Sequence, residues 1–356
     1  MKRTGIANLP LHYGRAPRWL FERMEKLSRE IIIAIIIDKG TDEVLRRLSD
    51  PFWFQAFGSL LGFDWHSSGL TTTVCGAIKA GFKEVCREYG FYIAGGKGKV
   101  SRKTPEEIEM VSDAIGINGR PLVYASRMAA KVDTSGIQDG YQIYHHTFFF
   151  NSKGNWVVVQ QGMNETDRYA RRYHWLGEQV SDFVCEPHSG IECEKTSKIL
   201  NLIARESDKA RNVITSISKE KPEKVIAELK KIAELSLPPE HPIEPSQIHP
   251  DRLKKILIFT YENAPEDFET LLGMKGVGTK TLRALSLISE LTYGVPASFS
   301  DPARFSFAHG GKDGYPYPVN RRVYDESINF LKEAIQKAKI GDNERFKLLK
   351  KLHTFF

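Results

Sequence analysis

Apolar residues recur at three- and four-residue spacing between Arg18 and Ile37, through Leu20, Met24, Leu27, Ile31 and Ile35, a stripe that predicts a helix. The run from Ile31 to Ile37 reads equally as a buried strand. Thr41-Asp42 opens a second helix through Leu48. Phe52 to Phe63 is dense in aromatics and glycine, and Thr73 to Tyr89 reads as another helix. Thr104-Pro105-Glu106-Glu107 sets Thr at the N-cap, Pro at the first helical position and Glu two residues on, predicting a helix to about Ile115. From Pro121 the period changes. Tyr141 to Phe150 and Trp156 to Gln161, around a turn at Asn151–Asn155, predict a β-hairpin. Beyond Ser189, residues 193–217, 222–235, 250–261, 266–272, 327–339 and 344–352 read as helices, with a proline-rich break at Pro238–Pro245. The expectation is an α+β protein: residues 1–190 as a mixed domain with a hairpin or small sheet, and residues 191–356 as an all-α domain.

Composition narrows the class. The 356 residues are 41% hydrophobic and 27% charged, which excludes a disordered chain. The longest aliphatic run falls far short of the roughly 20 residues a membrane span needs, so no membrane association is expected. Four cysteines are too few for a disulfide scaffold. Cys185-x2-His188-x4-Cys193 resembles half a zinc site without a second half, and free thiols in a cytoplasmic protein are the simpler reading. The net charge of +7 suits an anionic partner without identifying one.

Leu271 to Leu285 supplies a more specific signal. Two helical segments flank Met274-Lys275-Gly276-Val277-Gly278-Thr279-Lys280, with glycines where a tight turn needs positive φ. Exposed N–H groups at the second helix form an anion site, and Lys275 and Lys280 suit a phosphate. The segment resembles the helix-hairpin-helix motif of DNA repair and recombination proteins, which implies sequence-independent binding of the DNA backbone by Lys275, Gly276, Gly278 and Lys280. Related glycosylases carry a Schiff-base lysine in such a turn and a catalytic aspartate downstream. Lys280 and Asp301 would fill those roles in an abasic-site lyase.

A denser polar cluster lies in the middle: Lys131-Val132-Asp133, Gln138-Asp139, His145-His146, Gln160-Gln161 and Arg168 to Trp175. Strand side chains alternate, so one His and one Gln share a face with Asp133 or Asp139. Carboxylates with histidine suit a divalent metal in a nuclease. The expected catalytic set is Asp133, Asp139, Lys131, His145, His146 and Gln161, with Asp133, Asp139 and His145 holding Mg²⁺ or Mn²⁺. Arg168, Arg171 and Arg172 would hold flanking phosphates. The basic loop Gly95 to Lys103 would add Lys97 and Lys99 as backbone contacts. Asp64-Trp65-His66-Ser67-Ser68 reads either as a hydrolytic Ser-His loop or as a helix cap.

Several of these segments together, among them Lys131-Val132-Asp133, Gln138-Asp139-Gly140-Tyr141, Gln160 to Asn164 and Ala170 to Trp175, resemble a family registered as domain of unknown function 763, typical of archaea and thermophilic bacteria. The resemblance spans nearly the whole chain and implies no settled activity. The sequence therefore points to a DNA-binding protein acting as a metal-dependent nuclease. A glycosylase or lyase and a non-catalytic DNA binder remain as alternatives, and homo-oligomer formation is left open.

Overall fold

The apolar stripe between Arg18 and Ile37 folds as one long helix, α1 (Arg18–Lys39), with the isoleucine run inside it as helix and not strand. Gly40 turns the chain into α2 (Thr41–Ser49). Asp50 then caps α3 (Pro51–Leu61), its Oδ1 accepting from the N–H groups of Phe52 and Trp53 at 2.8 and 3.2 Å. Every residue of α3 is buried, so the aromatic-rich segment is a core helix. The helix expected over Thr73–Tyr89 divides into α4 (Gly69–Phe82) and the short α5 (Cys86–Tyr89). These coordinates come from a computed structural model that describes residues 16–63, 67–166, 168–193, 196–238, 241–303 and 321–355.

The chain then alternates between strand and helix. It forms β1 (Phe91–Lys97), α6 (Thr104–Ile115), α7 (Arg120–Lys131) and a two-residue strand β2 (Ile137–Gln138). The hairpin follows as β3 (Gln142–Asn151) and β4 (Trp156–Asn164). Arg168 to Trp175 is largely β5 (Tyr169–Leu176), followed by β6 (Gly190–Glu192) and β7 (Leu200–Asn201). β1, β3, β4, β5 and β6 pair in that order into one antiparallel sheet, and β2 pairs with β7. The helices α8 (Asp208–Ser218), α9 (Pro222–Ala233), α10 (Pro250–Asn263), α11 (Phe268–Gly273), α12 (Thr279–Leu291), α13 (Arg321–Lys337) and α14 (Asp342–Phe355) complete the described elements. The helix expected over 193–217 starts only at Asp208. Before it, Ser207 Oγ donates to Asn201 O and Arg211 donates to Leu202 O and Ala204 O, fixing a polar turn where a helix would continue.

The sheet is covered on both faces, unlike the half-solvated pattern common for antiparallel sheets. One face, with Ala94, Phe148, Phe150, Val158, Tyr173 and Trp175, packs in a core shared with α6 to α12. The other, with Phe91, Phe149, Val157, Val159 and Leu176, packs against α1 to α4 and the C-terminal helices α13 and α14. Residues on both sides of position 190 contribute to both cores.

Gly95 shows how tightly β1 is fitted. Its φ is +87°, and a Cβ there would sit 2.2 Å from His146 O and 2.4 Å from Thr104 Oγ1. Its amide donates to Glu107 Oε2 at 2.9 Å, and Lys79 Nζ donates to its carbonyl at 2.7 Å. Gly95→Ala is expected to cost about 2–4 kcal/mol, combining left-handed strain with a backbone clash. Urea unfolding of the purified variant reads this directly, and an unchanged midpoint would refute the fit.

Candidate functional site

Successive residues of β5 point to opposite faces, so the paired arginines Arg171 and Arg172 part company and anchor two different polar clusters. Neither is a phosphate contact of the kind expected from sequence. They are 1% and 0% exposed and ion-paired to carboxylates inside the protein, Arg171 to Asp139 and Asp301 and Arg172 to Glu192.

On the face toward α7, Asp133 is fully buried at the end of that helix, where a single wide turn over Val132–Gly136 swings its carboxylate onto the sheet. Three donors meet it: Trp175 Nε1 at 2.9 Å, His188 Nε2 at 2.5 Å and Gln160 Nε2. A carboxylate only accepts, so Nε2 of His188 carries a proton, and in the neutral imidazole the lone pair lies on Nδ1. Nδ1 has no hydrogen-bond partner among the described residues, and His188 lines a cleft of about 300 Å³ together with Glu186, Asn201, Glu206 and Asp301. Behind the pair, Gln160 Oε1 accepts from His146 Nδ1 at 2.7 Å, and His146 Nε2 meets Ser126 Oγ at 2.9 Å. A continuous hydrogen-bonded chain thus runs from Ser126 to the cleft.

Asp139 lies on the same face in a second cluster. Its Oδ2 accepts from Arg171 Nη1 at 2.9 Å and Tyr173 Oη at 2.7 Å, and its Oδ1 from the Tyr141 amide at 3.0 Å. Arg171 continues to Asp301 with two bonds at 3.0 and 2.8 Å and lies over the Tyr141 ring at 4.7 Å. Burial pushes the Asp139 carboxyl upward, against the pull of Arg171.

The other face holds Arg172, Gln161, His145 and His174. Arg172 donates to His174 Nε2 (2.9 Å), Gln55 Oε1 (3.0 Å), Thr71 Oγ1 (3.2 Å) and Glu192 Oε2. Gln161 Nε2 donates to Ser68 O at 2.9 Å and its Oε1 accepts from Thr71. His145 is paired only with Thr147 Oγ1 among the described residues, its Nδ1 left without a partner. It therefore stands across the sheet from Asp133 and Asp139, and the expected metal trio does not converge. Among the described residues no group of three or more His, Cys, Asp or Glu is placed to hold a metal ion. The half-zinc reading also dissolves: His188 serves Asp133, and Cys193 Sγ meets Tyr141 Oη at 3.2 Å.

These buried imidazoles make the protein acid-sensitive. Burial depresses His145 to about 3 and lowers His146 and His174 as well. The unfolded chain takes up these protons first, near pH 6.5, so the stability they confer is complete above that pH and lost as pH falls toward 3. Glu192, pushed up to about 8 by burial, and Asp139, also raised by burial, act in the opposite sense and offset part of this. The net expectation is a loss of stability as pH falls below about 6. Urea midpoints that stay flat from pH 7 to pH 5 would contradict it.

Lys131 does not reach the carboxylates. Its Nζ donates to Met274 O at 3.3 Å and to Val277 O, bridging α7 to the turn between α11 and α12. Thr279 Oγ1 donates to Thr134 O at 3.0 Å, so the turn is tied directly to the Asp133 segment. Within the turn Gly276 has φ +91°, and Lys275, Gly276 and Lys280 are exposed. Gly278 is extended and caps α12 without a side-chain bond. Lys280 and Asp301 line different clefts, and Asp301 is held by two bonds from Arg171.

Lys97, Lys99 and Arg168 are exposed. Lys97 pairs with His145 and Arg168 follows Asn164, which places both at the end of the sheet where β3 begins. Asp64, Trp65 and His66 lie outside the described residues. Ser67 Oγ accepts from the Gly69 amide at 3.1 Å, a local turn at the start of α4. The residues that sequence reasoning missed as partners are His188, Glu192 and Asp301, which meet Asp133, Arg172 and Arg171. His188 surfaced there only as a zinc candidate.

No helix among the described residues is long and apolar enough to cross a membrane. No curated protein and no solved structure matches the chain. A family model described as "Protein of unknown function (DUF763)" matches residues 5–319. With that match running through both polar clusters and the α11–α12 turn, the chain belongs to the DUF763 family.

Proposed function

We propose that this protein binds nucleic acid and hydrolyses phosphodiester bonds, with His188 as general base and Asp133 as the group that orients it. The observation that carries the reading is the Asp133–His188 pair, with Nε2 of the imidazole fixed by a buried carboxylate, Nδ1 without a hydrogen-bond partner among the described residues, and His188 on the wall of a cleft. Nδ1 would then be the base that takes a proton from water as the water attacks phosphorus. The exposed Lys275–Lys280 turn, bonded to the Asp133 segment through Lys131 and Thr134, supports delivery of a phosphate backbone nearby. Lys97, Lys99 and Arg168 supply further exposed positive charge.

Glu186 and Glu206 at the cleft would repel a polyanion. Mg²⁺ or Mn²⁺ held by Glu186 and Glu206 would offset this repulsion, because such ions bind through one or two carboxylates together with substrate phosphates. Labelled single-stranded and duplex DNA, incubated with the purified chain and Mg²⁺, Mn²⁺ or chelator, tests the reading. Metal-dependent cleavage is the expected result. Absence of cleavage on every substrate and metal would overturn it. Salt-sensitive binding without turnover would then leave a DNA-binding module, a reading favoured by the complete internal saturation of Asp139 and Arg172.

A further inference from the structure

A second cleft, of about 430 Å³, opens between the first turns of α10 and α12. His249, Arg252, Lys280 and Arg283 line it, and none of its lining residues is acidic. Like charges gather this way at a cost unless an anion joins them.

Arg283 makes the case strongest. It is half-buried, and its Nε donates to Gln138 Oε1 at 3.0 Å and its Nη1 to Gln247 Oε1 at 3.3 Å. Gln138 is itself held, its Nε2 donating to Ser135 O and Thr279 O at 3.2 Å. The guanidinium is thus positioned by neutral amides, and no carboxylate pairs with it among the described residues. Burial lowers its pKa with no acidic neighbour acting against that. The carboxylates nearby in sequence are turned elsewhere. Glu244 accepts from Gln247 Nε2 at 2.7 Å, and Asp251 faces Lys230 at 3.5 Å. A half-buried guanidinium with no acidic partner beside it is open to an anion. Both α10 and α12 also begin without a side-chain cap, so two positive helix ends face the same region.

We infer that this cleft is a phosphate-binding site, taking the phosphoryl oxygens either of a nucleic-acid strand or of a small phosphorylated ligand. Arg283 is the fixed guanidinium of the site. Arg252 and Lys280 are its exposed outer charges, with His249 beside them. The site is separate from the His188 cleft, and it stands whether or not that cleft is catalytic.

The test uses the full chain and reads binding, not turnover. A labelled single-stranded oligonucleotide and, separately, pyrophosphate are titrated against wild type, Arg252→Gln and the double variant Arg252→Gln/Arg283→Gln. Lys280 is left in place so that any loss reports the cleft and not the α11–α12 turn. For the ligand that occupies the site, affinity is expected to fall about tenfold or more in the double variant. For an oligonucleotide, the slope of log affinity against log salt should also fall by about one per contact removed. Arg252 is exposed, so its single variant folds normally and keeps the test valid should the Arg283 change loosen the fold. Loss for the oligonucleotide alone identifies a strand backbone as the ligand, and loss for pyrophosphate alone identifies a small phosphorylated compound. Binding of neither ligand by wild type, or unchanged binding of both by the variants, overturns the inference.

Discussion

Arg172→Met is expected to lower the unfolding free energy by about 3–5 kcal/mol, the largest stability loss of any single change considered for this fold. The guanidinium is 0% exposed and lies over the Phe54 ring at 4.8 Å. Removing it strands Gln55 Oε1, His174 Nε2 and the Glu192 carboxyl in a core without water. Each such acceptor costs about 1–3 kcal/mol when left unmade. Glu192→Gln should cost far less near pH 7, because burial already favours the neutral carboxyl, pushing it up to about 8. The double variant Arg172→Met/Glu192→Leu should recover part of the single loss, a coupling that a double-mutant cycle in urea measures. Equal losses for Arg172→Met and Glu192→Gln would show that the pair is held by charge alone.

The same two arginines mark where sequence reading stopped. Hydrophobic spacing suffices for the hairpin and for α1 up to its isoleucine run, which it leaves open between helix and strand, while α2 is read from its Thr41-Asp42 start, although Gly40 is the residue at its N-cap. The start signal at Thr104-Pro105 placed α6 over Thr104–Ile115, although Thr104 itself donates to Ser101 O and does not cap the helix. β5 gave no such signal. Its alternation is Arg171, Tyr173, Trp175 on one face and Arg172, His174, Leu176 on the other, so polar residues go inward on both sides. A segment of that composition reads as exposed and basic until both partners of each arginine are known, and Asp301 is 130 residues away in the chain.

The polar cluster was legible as a cluster but not as a geometry. Alternation does put His146 and Gln160 with Asp133, yet the same alternation sends His145 and Gln161 to the opposite face. Which histidine faces which carboxylate depends on the turn at Val132–Gly136, and no residue spacing encodes that turn. His188 sits in a loop 55 residues from Asp133, where periodicity carries no information. The lysines divide in the same way. Lys131, grouped with the acids by sequence, bonds instead to the carbonyls of the α11–α12 turn, while Lys275 and Lys280 remain exposed as expected.

Asp133→Asn is expected to lower phosphodiester hydrolysis about 10³–10⁴-fold, the scale seen when the orienting carboxylate of a Ser-His-Asp triad is replaced by its amide. The carboxylate accepts from Gln160, Trp175 and His188, whereas an amide has one acceptor oxygen and an N–H₂ that must face a donor. If that N–H₂ meets His188, the imidazole must accept on Nε2 and carry its proton on Nδ1. Nδ1 would then have no lone pair with which to take a proton from water. The mismatch also costs about 1–3 kcal/mol of stability, so the assay belongs at a temperature where the variant is fully folded. His188→Gln leaves the buried Asp133 largely paired and should lose turnover to a similar degree with a smaller effect on the unfolding midpoint. His188→Ala opens the imidazole-sized space beside the cleft, and added imidazole should restore part of its activity, which a purely structural histidine would not allow. Asp139→Asn, which disturbs only the Arg171 cluster, should lower stability but leave the pH dependence of turnover unchanged. Turnover that survives in both His188→Gln and Asp133→Asn would remove the dyad from the mechanism, and with it the reason to place the chemistry in the His188 cleft.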